Sequence, residues 1–305
     1  MEEFYAMLRQ GCARGRKNIR NGRVMVMKNL AFSLALGVAL SAAACSGAWA
    51  QGLYPQPNQS TAAAPNATAL EGMKAVENLD RWRETLIPMF MNDYGDLARY
   101  RSADAALGNP RPDEQRVVFF GDSITDIWKL DKYFPGKGYI NRGISGQTTE
   151  QMLVRFRQDV VDLHPAVVVI LAGTNDIAGN TGPETLAQIE GDFATMEEVA
   201  RANGIRVVLS SLTPENGTKP QWTTYTLLRP PHEIVELNDW LQRYCRQNGL
   251  VYLDYYSAMV DAQGRMKPAL TRDGLHPSAA GFEVMAPLAE RAIRDALGKP
   301  VVMGP

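Results

Sequence analysis

Val167-Val168-Val169-Ile170-Leu171 is a run of five apolar residues, four of them β-branched. A strand with one wet face alternates apolar and polar side chains. A run without alternation fits a strand covered on both faces, as in a parallel sheet. The pattern recurs at Val117-Val118-Phe119-Phe120 and within Arg206–Ser211. Between these runs the apolar spacing changes to three and four. That spacing predicts helices over Thr149–Val160, Pro183–Asn203 with Gly204 behind it, Pro231–Asn248 with Gly249 behind it, and Ala279–Leu297. Short strands are expected at Gly138–Asn141 and Leu250–Asp254. Strands that alternate with helices predict a doubly wound α/β domain with right-handed crossovers. In such a sheet, ligands bind beyond the carboxyl ends of the strands.

The chain ahead of this domain is of a different kind. Arg9, Arg14, Arg16, Lys17, Arg20, Arg23 and Lys28 precede an apolar run from Leu30 to Ala44, and Ala48-Trp49-Ala50 fits a small-residue cleavage site. Residues 1–50 therefore read as a secretory signal peptide cut after Ala50, with translation beginning at Met1 or at an internal Met25 or Met27. A lipoprotein signal through Cys45 ranks second. Residues 51–71, rich in Pro, Asn, Ala, Ser and Thr, read as a disordered linker. Residues 72–112 read as an extension, helical from Gly72 to about Leu107, in which Trp82, Leu86, Met89, Phe90 and Tyr94 form an apolar stripe, and residues 113–299 as the α/β domain.

Without residues 1–50 the chain keeps 25 basic and 31 acidic groups, a net charge of about −6. Such a surface repels nucleic acid and anionic lipid, so neither nucleic acid nor, after signal cleavage, a membrane is an expected partner. Of three cysteines only Cys245 remains, and zinc-type Cys/His spacing is absent, so neither a metal nor another cofactor is expected. The oligomeric state stays open.

The unusual residues sit where strands end. Gly121-Asp122-Ser123 follows the first strand, Asn141-Arg142-Gly143-Ile144-Ser145-Gly146 the second, and Gly173-Thr174-Asn175-Asp176 the third. The fourth block, Asp273-Gly274-Leu275-His276-Pro277, stands just before the last helix. Acyl transfer needs a nucleophile, a base, a group that orients the base, and donors for a developing oxyanion. Ser123 supplies the nucleophile and His276 the base. Asp273, three residues before His276, can accept from its ring N–H. Oxyanion donors are the Ser123 N–H, the Gly143 N–H and the Asn175 amide. Taken singly each has a plainer reading: Ser123 as a helix N-cap, His276-Pro277 as a helix start, Asn175 as a turn residue.

Together the four blocks resemble the SGNH hydrolase superfamily, the GDSL-type esterases and lipases, over about Val117 to Leu288. The branch they are similar to holds platelet-activating-factor acetylhydrolase-like subunits and bacterial secreted acylhydrolases. Ile124-Thr125 stands where the family name expects Leu-Ser. The resemblance implies a three-layer α/β/α, flavodoxin-like fold with five parallel strands. It also implies the roles just given for Ser123, Gly143, Asn175, Asp273 and His276.

Asp122 and Asp176 read as supports for their loops, Asp126 as a residue of the rim, and Cys245 as a core thiol. His164 and His232 read as residues of helix boundaries. The loop Pro214–Pro231 is long for a connection, and its Trp222 and Tyr225 are candidates for a substrate wall. The sequence thus predicts a secreted serine esterase acting on short-chain, mainly acetyl, esters of carbohydrates. The alternatives are a lysophospholipase-type lipid acyl hydrolase and a non-catalytic glycan-binding protein of the same fold.

Overall fold

The computed structural model describes residues 67–300. The signal expected over residues 1–50, with Cys45 and Ala50, lies outside them, as does most of the expected linker. Among the described residues five strands form one parallel sheet: β1 Val117–Gly121, β2 Ile140–Gly143, β3 Val167–Leu171, β4 Arg206–Ser210 and β5 Val251–Leu253. Their spatial order is β2-β1-β3-β4-β5, the flavodoxin-like winding. Register is set by pairs such as Val118 with Ile140, Gly121 with Gly143 and with Leu171, and Val208 with Val251.

The helices in chain order are α1 Ala67–Asp93, α2 Arg101–Leu107, α3 Ser123–Asp126, α4 Leu130–Tyr133 and α5 Thr149–Asp159. They continue with α6 Thr174–Ile177, α7 Leu186–Ala202, α8 Thr223–Leu228, α9 Pro231–Asn248, α10 Tyr256–Met259 and α11 Ala279–Leu297. Two of the long helices begin with capping boxes, Thr148 with Gln151 and Thr185 with Gln188. The second explains why α7 starts at Leu186 and not at Pro183. Pro231 opens α9, and Gly249, at φ 69°, ends it. None of the described helices is long and apolar enough to cross a membrane.

Because side chains alternate along a strand, the apolar runs feed two cores. Val117, Phe119, Val167, Val169 and Leu171 face α11, where Phe282, Met285, Ala289 and Ile293 meet them. Trp128 completes that core, edge-on to Phe119 at 5.5 Å and stacked on Phe282 at 5.1 Å. Val118, Phe120, Val168 and Ile170 face the opposite way, onto Met152 and Phe156 of α5, Ile189 and Phe193 of α7, and Leu237 and Leu241 of α9. The result is three layers, α/β/α. Cys245 lies in this second core, and burial pushes its thiol up to about 12.

Two expectations about the N-terminal part change. Helix α1 begins at Ala67, inside the stretch expected as linker, and stops at Asp93, where one long helix to Leu107 was expected. The break has a local cause: the Asp93 carboxylate accepts the Leu97 and Ala98 N–H groups at 2.9 Å, and Asp96 takes a left-handed φ of 51°. The segment then runs along α5 and β2. Tyr94 Oη donates to Glu150 at 2.6 Å, Gln147 Nε2 to the Gly95 carbonyl at 2.9 Å, and Gln158 Nε2 to the Leu97 carbonyl at 2.8 Å. The Tyr100 hydroxyl donates to the Gly143 carbonyl, and Arg142 Nε to Asp104 at 2.7 Å.

Beneath the rim lies a buried guanidinium. Arg155 of α5 donates to the Gly121 carbonyl and the Arg142 carbonyl, each at 2.9 Å, and to Gln147 Oε1 at 2.5 Å. Asp159 neutralises it at 2.9 Å, and the Phe120 ring lies 4.1 Å from its central carbon.

Two expected outcomes follow from the close fit of β1 and β2. A Cβ on Gly143 would stand 2.1 Å from the Asp126 nitrogen and 2.6 Å from the Thr125 carbonyl carbon. Gly143→Ala is expected to lose about 1–3 kcal/mol of stability, read as a lower urea midpoint at unchanged m-value. Asp122, fully buried, accepts the Ile124 N–H at 2.9 Å, yet burial pushes its carboxyl up to about 6. The folded state therefore keeps a proton that the unfolded chain releases near pH ~4, and stability falls as pH rises from ~4 to ~6. Asp122→Asn, which preserves the accepting oxygen, is expected to flatten that slope by about 2–3 kcal/mol between pH 4 and pH 7 in urea titrations.

Candidate active site

Ser123 is the first residue of α3, directly behind β1. Asp122 caps the turn, so the cap role that Ser123 might have filled is taken by its neighbour. Ser123 Oγ lies 2.9 Å from His276 Nε2, and His276 Nδ1 lies 2.8 Å from Asp273 Oδ2. An ionised carboxylate only accepts hydrogen bonds, so it holds the proton on Nδ1 and leaves the Nε2 lone pair facing the serine hydroxyl. The structure thus joins three residues that span 153 positions of the chain, Ser123 to His276.

The Asp273–His276 segment is a tight loop. Asp273 Oδ1 accepts the His276 N–H at 2.8 Å and the Leu275 N–H at 3.1 Å. Burial alone would raise the Asp273 carboxyl, but the His276 ring and these two backbone donors hold it well below the usual carboxylate range. Gly274 has φ +96°, and a Cβ there would meet the Asn216 carbonyl oxygen at 2.4 Å and the Trp222 Cβ at 2.8 Å. The loop is therefore seated on the segment after β4.

Asn175 of α6 is buried. Its Nδ2 donates to the Gln147 carbonyl at 3.0 Å, and its Oδ1 accepts from Arg229 Nη2 at 3.2 Å. One of the two Nδ2 hydrogens is left for another acceptor. Asp176 accepts the Thr149 N–H at 2.7 Å and also the Thr149 hydroxyl, fastening the turn after β3 to the start of α5. Burial raises the Asp176 carboxyl well above the usual range. Asp126 accepts from the Ser145 N–H at 3.2 Å and its hydroxyl at 2.6 Å, on the same rim.

Two expected assignments are displaced. The Gly143 N–H donates to Asn141 Oδ1 at 2.8 Å, so it is not offered to a substrate. Among the described residues the Gly146 N–H has no acceptor. Gly146 takes φ +85°, its carbonyl accepts from Asn180 Nδ2 at 2.8 Å, and the next carbonyl, that of Gln147, is the one that holds Asn175. The same block of sequence supplied both glycines, and spacing alone did not choose between them. Trp222, expected on a substrate wall, is only 5% exposed, because its side chain packs under Gly274. Tyr225 is half-buried, with its ring edge-on to His276 at a centroid distance of 6.4 Å.

Sequence reasoning read Trp82 as packing surface and gave Arg229 no role. Trp82 is 38% exposed, and its ring lies 3.4 Å from where a Gly146 Cβ would be. Helix α1 also packs against α8, which carries Tyr225. His164 stands at the amino end of β3, away from the rim, and His232 is exposed at the start of α9.

Residues 119–284 match the model of the GDSL-like lipase/acylhydrolase family. A solved structure from Bacteroides fragilis assigned as an acylhydrolase is 42% identical, with a TM-score of 0.64 and coverage of 68% of this chain and 99% of its own. A GDSL-like lipase from Bacteroides thetaiotaomicron is 40% identical, with a TM-score of 0.63 and coverage of 67% and 100%. An acetylxylan esterase of Geobacillus stearothermophilus is 26% identical over 209 residues, which is 56% of this chain and 90% of that protein. The Ser123–His276–Asp273 geometry, the winding of the sheet and the match over more than half the chain agree: the protein belongs to the GDSL-like lipase/acylhydrolase family of esterases.

Proposed function

We propose that the protein is an exported serine esterase that removes short acyl groups, chiefly acetyl, from carbohydrates. The observation that carries the catalytic reading is the relay Ser123–His276–Asp273, with hydrogen-bond spacings of 2.9 and 2.8 Å. Ser123 Oγ attacks the ester carbonyl while His276 Nε2 takes its proton. The negative charge on the carbonyl oxygen is received by the Ser123 N–H, the Gly146 N–H and Asn175 Nδ2. His276 returns the proton to the leaving alcohol. The same histidine then activates a water that releases the acid from Ser123. Asp273, held ionised, stabilises the imidazolium that forms twice in the cycle.

Three observations support a carbohydrate ester. The chain behind the leader is acidic, which disfavours an anionic lipid surface. Trp82 and Tyr225 offer aromatic faces and edges on two sides of the rim, the form of surface on which sugar rings pack. One relative is named an acetylxylan esterase. Export is supported by the basic, apolar and small-residue order of residues 1–50.

Ser123→Ala is expected to abolish hydrolysis of p-nitrophenyl acetate and labelling by a fluorophosphonate. Wild-type turnover by that variant would overturn the mechanism. In an ester series from acetate to palmitate, kcat/KM is expected to fall with chain length, and a preference for the long chains would favour the lipid hydrolase instead. Trp82→Ala is expected to raise KM for acetylated xylo-oligosaccharides by roughly 3- to 10-fold, the equivalent of losing one aromatic contact, and by less for p-nitrophenyl acetate. An equal effect on both substrates would argue against a sugar-binding wall.

A further inference from the structure

Asn175 can serve as an oxyanion donor only if its amide is the right way round. An amide has two nearly equal ends, and rotation by half a turn would present Oδ1, an acceptor, to the developing negative charge. Two contacts choose between the ends. The Gln147 carbonyl only accepts and lies 3.0 Å from Nδ2; the Arg229 guanidinium only donates and lies 3.2 Å from Oδ1. Reversing the amide would set oxygen against oxygen and nitrogen against nitrogen.

Arg229 is itself held rigidly. It stands behind α8 and is only 4% exposed. Its Nε donates to the Thr174 carbonyl at 2.8 Å, one residue before Asn175, and lies 3.3 Å from Glu215 Oε1. Glu215 is also buried and accepts from the Thr174 hydroxyl at 3.4 Å; burial pushes its carboxyl up to about 8, and the Arg229 guanidinium beside it pulls the other way, toward the ionised form that a buried cation needs. Arg229 thus grips the backbone and the side chain of the α6 turn with one planar fork, a geometry that lysine does not reproduce.

We propose that Arg229 is a positioning residue for the oxyanion hole. By fixing the orientation of the Asn175 amide it aims Nδ2 at the reacting carbonyl, and Glu215 compensates its charge. The inference rests on the role given to Asn175 above, and the two can fail separately. Its energetic signature is specific. The Asn175 contact forms fully only as charge develops on the carbonyl oxygen, so a misoriented amide lowers kcat and leaves KM nearly unchanged.

The test is a double-mutant cycle on p-nitrophenyl acetate with Arg229→Met, Arg229→Lys and Asn175→Ala, each variant checked for folding by circular dichroism and thermal melting. Asn175→Ala alone is expected to reduce kcat by about 10²–10³; a wild-type rate would overturn the Asn175 assignment and the present inference with it. Arg229→Met is expected to reduce kcat by roughly 10- to 100-fold with KM within about twofold, and Arg229→Lys to recover part of that loss. In the Asn175→Ala background, the same Arg229→Met change is expected to cost less than about threefold, since there is no amide left to orient. An undiminished loss in that background, or a wild-type kcat for folded Arg229→Met, would overturn the inference while leaving the Asn175 assignment intact. If Arg229→Met does not fold, Arg229→Lys takes its place in the cycle with the same criterion.

Discussion

The guanidinium of Arg155 is the interaction on which the rim depends. It is fully buried and is neutralised by Asp159 on the same helix, so its remaining hydrogens bind other parts of the chain. They go to the carbonyl of Gly121, two residues before Ser123, to the carbonyl of Arg142, and to the side chain of Gln147. Gln147 in turn holds Asn175 through its own carbonyl. A single buried cation therefore sets the ends of β1 and β2 and the loop that carries Gly146 and Gln147 at fixed distances. Stranding such a cation by removing its carboxylate costs about 3–5 kcal/mol, which is why a charge so deep in a protein is nearly always paired. In this fold that requirement is used to make three chain segments one rigid body.

Much of the molecule was legible in the sequence. Unalternating runs such as Val167–Leu171 announce strands covered on both faces, and their alternation with helices announces a doubly wound sheet; the flavodoxin-like sheet of five strands is what the family resemblance implied. Ser123, Asn175, Asp273 and His276 were legible because each follows a strand or precedes a helix. A doubly wound sheet gathers those positions on one side. Helix ends were read well where a single residue decides them, as Pro231 and Gly249 do for α9.

What was not legible depends on contacts between distant segments. Gly143 and Gly146 sit in one six-residue block with similar surroundings. Only the third dimension shows that the Asn141 side chain occupies the first N–H and that the second has no acceptor among the described residues. Trp222 and Tyr225 are three residues apart in an aromatic loop, yet one is buried by Gly274 and the other reaches His276. Arg229, beside two prolines, carries no local mark of its bond to Asn175, 54 residues earlier. Trp82 belongs to an apolar stripe whose period tells that it packs, and not that it packs beside Gly146.

The Tyr100 hydroxyl bonded to the Gly143 carbonyl has a consequence beyond catalysis. β2 is the outermost strand on its side, and a strand in that position offers a row of unpaired backbone groups to any extended chain that meets it. Here the tyrosine occupies one of those acceptors, and the pairing of Arg142 with Asp104 lays α2 across the strand. The segment ahead of β1 thereby closes the sheet to further growth. The same residues that brace the rim also keep neighbouring copies from joining edge to edge.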